Sequence, residues 1–280
     1  MSKNWIAYPV IVAAVAALAG IGLAKDTAVE SQWTASPVKV ERLDQDWQDA
    51  TFLSDPDSKA EYALKNDGRN LYVLFLFKEA ASASTIDYTG MKVFFSAEGK
   101  KSKDLGIHFL KKQASPDELI ASLEKKGETP TEERKAEIRK QKVYYLFEAD
   151  VINAKKLATP ADPAVRTDPP VYWSGRQQRT LIWELRIPLS RTNQPGGIGA
   201  EPGQTIKLGF EWGGLTSQVM KNMMADMSTG AGAVRQDAGL SGSLAETKEG
   251  MGSLRGGGDF QRDPRTRLHS FWLDVKLAVK

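Results

Sequence analysis

The chain contains no cysteine and only two histidines among its 280 residues. Without cysteine it has no disulfide, no thiolate metal ligand, no cysteine nucleophile and no attachment point for the lipid of a bacterial lipoprotein. A catalytic triad is nearly excluded, because His108 and His269 are the only histidines in the sequence. None of the usual catalytic motifs is present either. We therefore expect a non-catalytic protein.

A clustered excess of positive charge is missing as well. The formal net charge is +3, from 38 basic and 35 acidic residues. Proteins that bind nucleic acid usually concentrate lysine and arginine on one face or along one segment. The sequence therefore gives no indication of a nucleic-acid partner.

A long apolar run is present at the N-terminus. Residues 5–24 are apolar apart from Pro9 and follow a single charge at Lys3, and Gly22 and Ala24 are small residues before a plausible cleavage point. We predict a signal peptide over residues 1–24, a single domain over 25–280, and a periplasmic or extracellular location. About 20 apolar residues also suffice to span a bilayer, so the alternative is an uncleaved anchor, and a membrane is a partner only in that case.

Residues 59–77 carry the clearest strand pattern. Ala60, Tyr62 and Leu64 alternate with Glu61 and Lys65, whereas residues 71–77 are apolar on both faces. An Asn-Asp-Gly turn separates the two runs, and we expect Gly68 to supply the positive φ that closes it. The pattern predicts a β-hairpin with a covered central strand.

Further alternating runs predict an all-β fold. The expected strands are residues 91–96, 106–110, 142–148, 180–189, 206–212 and 268–277. Between them lies a helical insert at about 115–141, with one helix from Pro116 to 126 and a second from Pro130 to about 140, capped by Ser115 and Thr129. A glycine-rich loop at about 228–263 is a candidate contact for a protein partner. We predict an antiparallel β-sandwich with a two-helix insert and a long loop.

Several segments occur in the order of a known family. They are Asp-Trp-Gln-Asp-Ala at 46–50, the hairpin at 66–73, Val-Phe-Phe-Ser at 93–96, the strand at 183–189 and Leu-Gly-Phe at 208–210. Together they resemble the family 9 carbohydrate-binding module and the wider group of DOMON-like domains. The resemblance implies a β-sandwich that binds sugars through aromatic side chains, or holds heme b as an electron-transfer subunit, or has no known ligand. A separate alternative is a structural or partner-binding surface domain whose glycine-rich loop orders on contact.

The leading hypothesis is carbohydrate binding. A sugar site needs a flat aromatic ring for the apolar side of a pyranose and nearby polar groups for its hydroxyls. The richest aromatic and polar cluster lies in an apparent loop at 172–178, and two further tryptophans stand at a strand end and on an outward face. The candidate ligand-binding residues are Tyr172, Trp173, Arg176, Gln177, Trp212 and Trp272. The alternative is that Tyr172 and Trp173 cap the sandwich edge and Trp212 belongs to the core.

Two cofactors remain open. Heme b needs axial ligands, and His269 with Met220 or Met224 would form a workable pair. Asp55 and Asp57 flank a proline, which is typical of a turn or of a calcium site.

Overall fold

The computed structural model describes residues 28–40, 45–79, 83, 85–97, 99–125, 127–153, 169–191, 196–214 and 267–280. The predictions for the signal segment, for Met220 and Met224, and for the glycine-rich loop fall outside these residues. Over the described ranges, no helix has the length and apolar character needed to cross a membrane.

Twelve strands are described. In chain order they are β1 (Val29–Glu30), β2 (Gln32–Trp33), β3 (Leu53–Ser54), β4 (Glu61–Asn66), β5 (Asn70–Phe77), β6 (Met91–Ser96), β7 (Gly106–Ala114), β8 (Tyr144–Ile152), β9 (Val171–Gln177), β10 (Thr180–Pro188), β11 (Thr205–Gly213) and β12 (Leu268–Lys276). The helices are a 3-10 turn (Gln45–Trp47), α1 (Ile86–Thr89), α2 (Pro116–Lys125) and α3 (Glu132–Lys140).

The strands form two sheets that pack face to face. The first sheet has the order β1-β12-β11-β6-β7-β8, and the second has the order β2-β4-β5-β10-β9, with β3 paired to β4. Most neighbours are antiparallel, and the short strands β1 and β2 add one parallel pair to each sheet. The predicted all-β sandwich is confirmed.

The core lies between the sheets, and β5 is covered on both sides as its sequence predicted. On the inner face Phe75 packs edge-on against Phe210 of the first sheet, with 4.9 Å between ring centroids. On the outer face Tyr72 and Leu74 belong to a second, smaller core that is covered by Trp47. A strand buried on both faces reads as a continuous apolar run, which explains why the alternation stops there.

The turn between β4 and β5 closes differently from the prediction. Gly68 is not among the residues with a positive φ. Instead Asp67 Oδ1 accepts hydrogen bonds from the backbone N–H groups of Arg69 and Asn70, at 2.6 and 2.7 Å, and Asp67 Oδ2 accepts one from the Tyr72 hydroxyl at 2.7 Å. The Asp67 side chain therefore stabilises the turn, which was expected to depend on a left-handed glycine.

The helical insert is present where the capping residues predicted it. Ser115 and Glu118 form a reciprocal capping box at the start of α2. The second helix begins later than expected, because Thr131 rather than Thr129 is its N-cap and accepts from the N–H of Arg134 at 3.3 Å. Apart from Ile138, α3 buries almost nothing, as expected of a solvated surface helix.

The segment expected to be a loop at 172–178 is instead the edge strand β9. It pairs antiparallel with β10, residue by residue from Val171 to Gln177. Its inward-facing residues are Tyr172, Ser174 and Arg176. Two of these are polar, whereas the inward positions of a strand in a sandwich are normally apolar. That irregularity conceals the period-2 pattern.

Candidate functional site

Two of the predicted ligand-binding aromatics lie in the core. Tyr172 is 5% exposed and stacks on Trp183, with 4.8 Å between ring centroids. Trp212 is 1% exposed and packs edge-on against Phe77 at 5.5 Å. Tyr172 therefore lies too deep to form a surface sugar platform. Trp212 is also a core residue, but it is one of the residues that line a cleft next to Glu211.

The other predicted residues of β9 point to opposite sides of the second sheet. Trp173 and Gln177 belong to the outer face, where Trp173 packs partly buried against the second core. Arg176 points between the sheets, with Nη2 4.0 Å from Asp87 Oδ2. The structure therefore does not bring the six candidates together.

Trp272 lies on the outer face of the first sheet and is partly exposed. Its indole lies flat over Gly209 of β11 and stacks on Phe94 of β6, at 6.3 Å between centroids and 19° between planes. Phe94 in turn lies against Gly106 of β7. We call Trp272, Gly209, Phe94 and Gly106 the Trp272 platform.

Charged groups border the platform on the same outer face, two residues further along the strands. The Glu211 carboxylate accepts hydrogen bonds from Lys103 and, at 3.4 Å, from Lys92. Lys103 Nζ also lies 5.6 Å from the ring centroid of Phe94. Burial would raise the pKa of the Glu211 carboxyl, but the two ammonium groups outweigh it and hold that pKa below its usual value. Glu211 is therefore a stable carboxylate acceptor beside the rings.

A cleft of about 240 Å³ continues from the platform along the same face. Glu211 and Lys92 line the cleft as well as bordering the platform, so the two form one continuous surface. The cleft is also lined by His108, Leu268 and Gly213, and Leu268 is 53% exposed. The cleft therefore offers an apolar side chain next to charged and polar ones.

Thr89, the last residue of α1, fixes the floor of the cleft. Its carbonyl lies 2.8 Å from His108 Nε2, and because a carbonyl only accepts, Nε2 is the donor. Its hydroxyl accepts from the N–H of Gly213 at 3.1 Å. Gly90 follows with φ +65°, and a Cβ there would be 2.2 Å from the Phe109 carbonyl oxygen, so only glycine permits this close approach.

His269, the candidate heme ligand, is half-buried and stacks on Trp212 at 5.3 Å. Burial lowers the pKa of its imidazole, and the nearby Arg267 lowers it further, against a smaller opposing effect of Asp55. Its proposed partners Met220 and Met224 fall outside the described residues. The heme assignment stays a prediction.

The side chain of Asp55, a candidate calcium ligand, stabilises the turn in which it lies. Its Oδ2 accepts from the N–H and the hydroxyl of Ser58, at 2.8 and 2.7 Å. In the described part of the chain, no group of three or more acidic or histidine side chains is placed to hold a metal. Calcium binding at Asp55 and Asp57 stays a prediction.

Sequence reasoning missed Phe94, Gly209, Lys103 and Glu211. One signal was available for Phe94: since its neighbours Met91, Val93 and Phe95 share the inner face, an apolar residue between them must point outward. Gly209, Lys103 and Glu211 gave no such signal, because their place beside Trp272 depends on strand pairing.

Comparison with known proteins adds little to this geometry. No protein-family model and no curated protein matches the sequence. Among solved structures, the chain is similar to a family 9 carbohydrate-binding module from Caldicellulosiruptor kristjanssonii, in complex with glucose and in complex with cellotriose. Each is 14% identical with a TM-score of 0.34, and the match covers 68% of this chain and 80% of the other. A likeness of this size carries no argument about the ligand of this chain.

Proposed function

We propose that this chain is a non-catalytic carbohydrate-binding protein and that the Trp272 platform with its adjoining cleft is the binding surface. The observation that carries the proposal is the indole of Trp272, which lies flat on the solvent face of a sheet with a charged, hydrogen-bonding row next to it. An aromatic face and convergent polar groups are the two elements that sugar recognition requires.

The charged groups beside the Trp272 platform suit the hydroxyl groups of a bound sugar. Glu211 supplies carboxylate oxygens that accept hydrogen bonds, and Lys92 and Lys103 supply ammonium donors that accompany it. Because Lys92 and Lys103 are both paired with the Glu211 carboxylate, these groups do not require a charged ligand. A neutral hexose or pentose unit on Trp272, with the next unit in the cleft, satisfies both parts of the surface.

We further propose that the protein is exported to the periplasm or beyond, on the strength of residues 1–24. Extracellular polysaccharide would then be the relevant ligand. Peptide mapping of the mature protein from its native cells gives the cleavage point, and an intact N-terminus would favour the anchor.

A glycan array followed by calorimetric titration of any hit tests the function. Trp272→Ala should weaken binding at least tenfold, since burying an aromatic side chain is worth roughly 1.5–3 kcal/mol. Trp173→Ala is the matched control, because it removes a partly buried tryptophan from the outer face of the other sheet. That variant should bind as the unmodified protein does.

Two results would count against the proposal. Absence of binding to every glycan would remove the function itself. Loss of binding in Trp173→Ala with retention in Trp272→Ala would move the site to the second sheet.

A further inference from the structure

A group of polar side chains lies between the two sheets, apart from the Trp272 platform. It consists of Tyr172, Ser174 and Arg176 on β9, Trp183 on β10 and Asp87 on α1, and we call it the inner polar cluster. The three β9 residues alternate with outward ones and therefore share the inward face.

The members are neighbours in space. Ser174 is the cross-strand partner of Trp183, and the ring of Tyr172 stacks on that of Trp183. Arg176 approaches Asp87 through its Nη2 atom, and the Asp87 charge acts on the Tyr172 hydroxyl. The five side chains thus line one region at the end of the sandwich where α1 lies.

Each member presents a buried polar atom that has no hydrogen-bond partner among the described residues. The atoms are Tyr172 Oη, Ser174 Oγ, Trp183 Nε1, Arg176 Nε and Asp87 Oδ1. Tyr172, Ser174 and Trp183 are 5, 6 and 0% exposed. Buried polar groups are nearly always paired, because each unpaired one carries the full penalty of desolvation. Five such atoms lie in one region of the sandwich, where a polar molecule could pair with them.

We propose that the inner polar cluster is an internal binding site for one small, neutral, polyhydroxylated molecule. Trp183 Nε1 and Arg176 Nε only donate, the Asp87 carboxylate only accepts, and the Tyr172 and Ser174 hydroxyls do both. A set of adjacent hydroxyl groups matches this mixture, because each hydroxyl donates once and accepts as well. The charges of Arg176 and Asp87 oppose each other, and Glu148, whose charge also acts on the Tyr172 hydroxyl, is paired with Lys112, so the site has no net charge with which to select an ion.

The site opens toward the solvent at its charged end. The side chains of Arg176 and Asp87 are 15 and 12% exposed, whereas Trp183 is fully enclosed. The ion pair is therefore the part of the cluster nearest the solvent. The inference does not depend on the proposed surface function, since the Trp272 platform lies on the outer face of the first sheet.

Nuclear magnetic resonance of the indole N–H groups, in protein labelled with nitrogen-15, tests the proposal. The probes are glycerol and glucose, each titrated over the millimolar range. We expect the Trp183 indole resonance to shift saturably with at least one probe. A response to both indicates a site for a diol unit, and a response to glucose alone indicates a monosaccharide site.

The variant Tyr172→Phe/Ser174→Ala removes two of the unpartnered oxygens without enlarging or crowding the core, and it should weaken the Trp183 response at least tenfold. Ser174→Ala alone is the fallback if the double variant does not fold. Tyr144→Phe is the matched control, because its hydroxyl bonds to the Ile138 carbonyl at the end of α3. It should leave the response unchanged.

The result separates the two sites. Trp272→Ala should weaken glycan binding at the surface at least tenfold and leave the Trp183 response intact. If neither probe moves the Trp183 resonance, the cluster holds water alone and the inference is overturned. It is also overturned if the double variant responds as the unmodified protein does.

Discussion

The indole of Trp272 lies directly against the backbone of Gly209 on the neighbouring strand. A Cβ at Gly209 would be 2.7 Å from the ring atoms Cε2 and Cζ2, which is closer than side chains normally approach. On the second sheet a glycine also lies against an outer-face tryptophan, but within one strand: a Cβ at Gly175 would be 2.4 Å from the ring of Trp173, two residues earlier in β9. Glycine therefore sets the orientation of both outer-face tryptophans.

Gly209→Ala tests whether the flat orientation matters for binding. The added methyl must push the indole of Trp272 away from the sheet, so we expect weaker glycan binding. Overpacking of this kind typically lowers the free energy of unfolding by about 1–3 kcal/mol. Calorimetric titration and chemical denaturation measure the two effects.

Gly68→Ala is the control for that substitution. Gly68 does not adopt a left-handed φ, and the nearest atom to an added Cβ would be 4.0 Å away. The control should match the unmodified protein in both measurements. Unchanged affinity in Gly209→Ala would mean that binding does not depend on how Trp272 lies.

Sequence patterns recovered the strands whose inner faces are wholly apolar. β6 and β10 alternate regularly because every inward position is filled by a hydrophobic residue. β9 was missed because Ser174 and Arg176 occupy inward positions, where they form part of the inner polar cluster. The prediction failed at the strand that carries polar groups between the sheets, because there the alternation of apolar and polar side chains breaks down.

The candidate site was only partly predictable for a different reason. Trp272 was recognised as outward-facing from alternation within its own strand. Its contacts with Gly209 and Phe94 depend on the register of β12 on β11 and of β11 on β6. Register between strands distant in sequence is a property of the folded sheets, which local patterns do not encode.

Trp47→Phe should destabilise the protein through a buried hydrogen bond. Trp47 Nε1 donates to Glu184 Oε1 at 2.5 Å, and Glu184 is completely buried on the outer face of the second sheet. Removing the donor leaves a buried carboxyl oxygen without that bond, which costs about 1–3 kcal/mol, so we expect a loss of that size in chemical denaturation. The indole also holds the N-terminal segment against β10.

Trp33→Phe provides the comparison, since it deletes the same atoms from another tryptophan. The buried Trp33 Nε1 has no hydrogen-bond partner in the described part of the chain. Its removal should therefore cost less than that of Trp47. Equal losses would show that ring volume, and not the bond to Glu184, stabilises this segment.

Asn66→Asp should weaken the attachment of the C-terminal segment. Asn66 is fully buried, and its amide Nδ2 donates to the carbonyl of Ala278 at 3.0 Å while Oδ1 accepts from the N–H of Ala278 at 2.9 Å. A carboxylate cannot donate, so it would face that carbonyl unpaired. We expect a loss of about 1–3 kcal/mol or more in chemical denaturation.

Ser31→Ala is the milder companion variant. The Ser31 hydroxyl donates to Asn66 Oδ1 at 2.5 Å and accepts from the N–H of Ala278 at 3.1 Å, and its removal leaves both contacts of Asn66 with Ala278 in place. It should therefore destabilise the protein less than Asn66→Asp does. Faster amide hydrogen exchange at Ala278 in Asn66→Asp than in Ser31→Ala would locate the effect at the C-terminal segment.

His269 should make stability depend on pH below neutrality. Its folded pKa lies below the ordinary value of 6.5, chiefly because of burial, so the unfolded chain binds the proton more tightly. The resulting stabilisation is fully present above pH 6.5 and is lost as the pH falls through the folded pKa. Chemical denaturation between pH 8 and 5 should show this decline, and His269→Phe, which keeps a ring against Trp212, should reduce it. Leu268→Ala, an exposed neighbour without a titrating group, should keep the unmodified slope. A decline of equal slope in His269→Phe would assign the pH dependence to other groups.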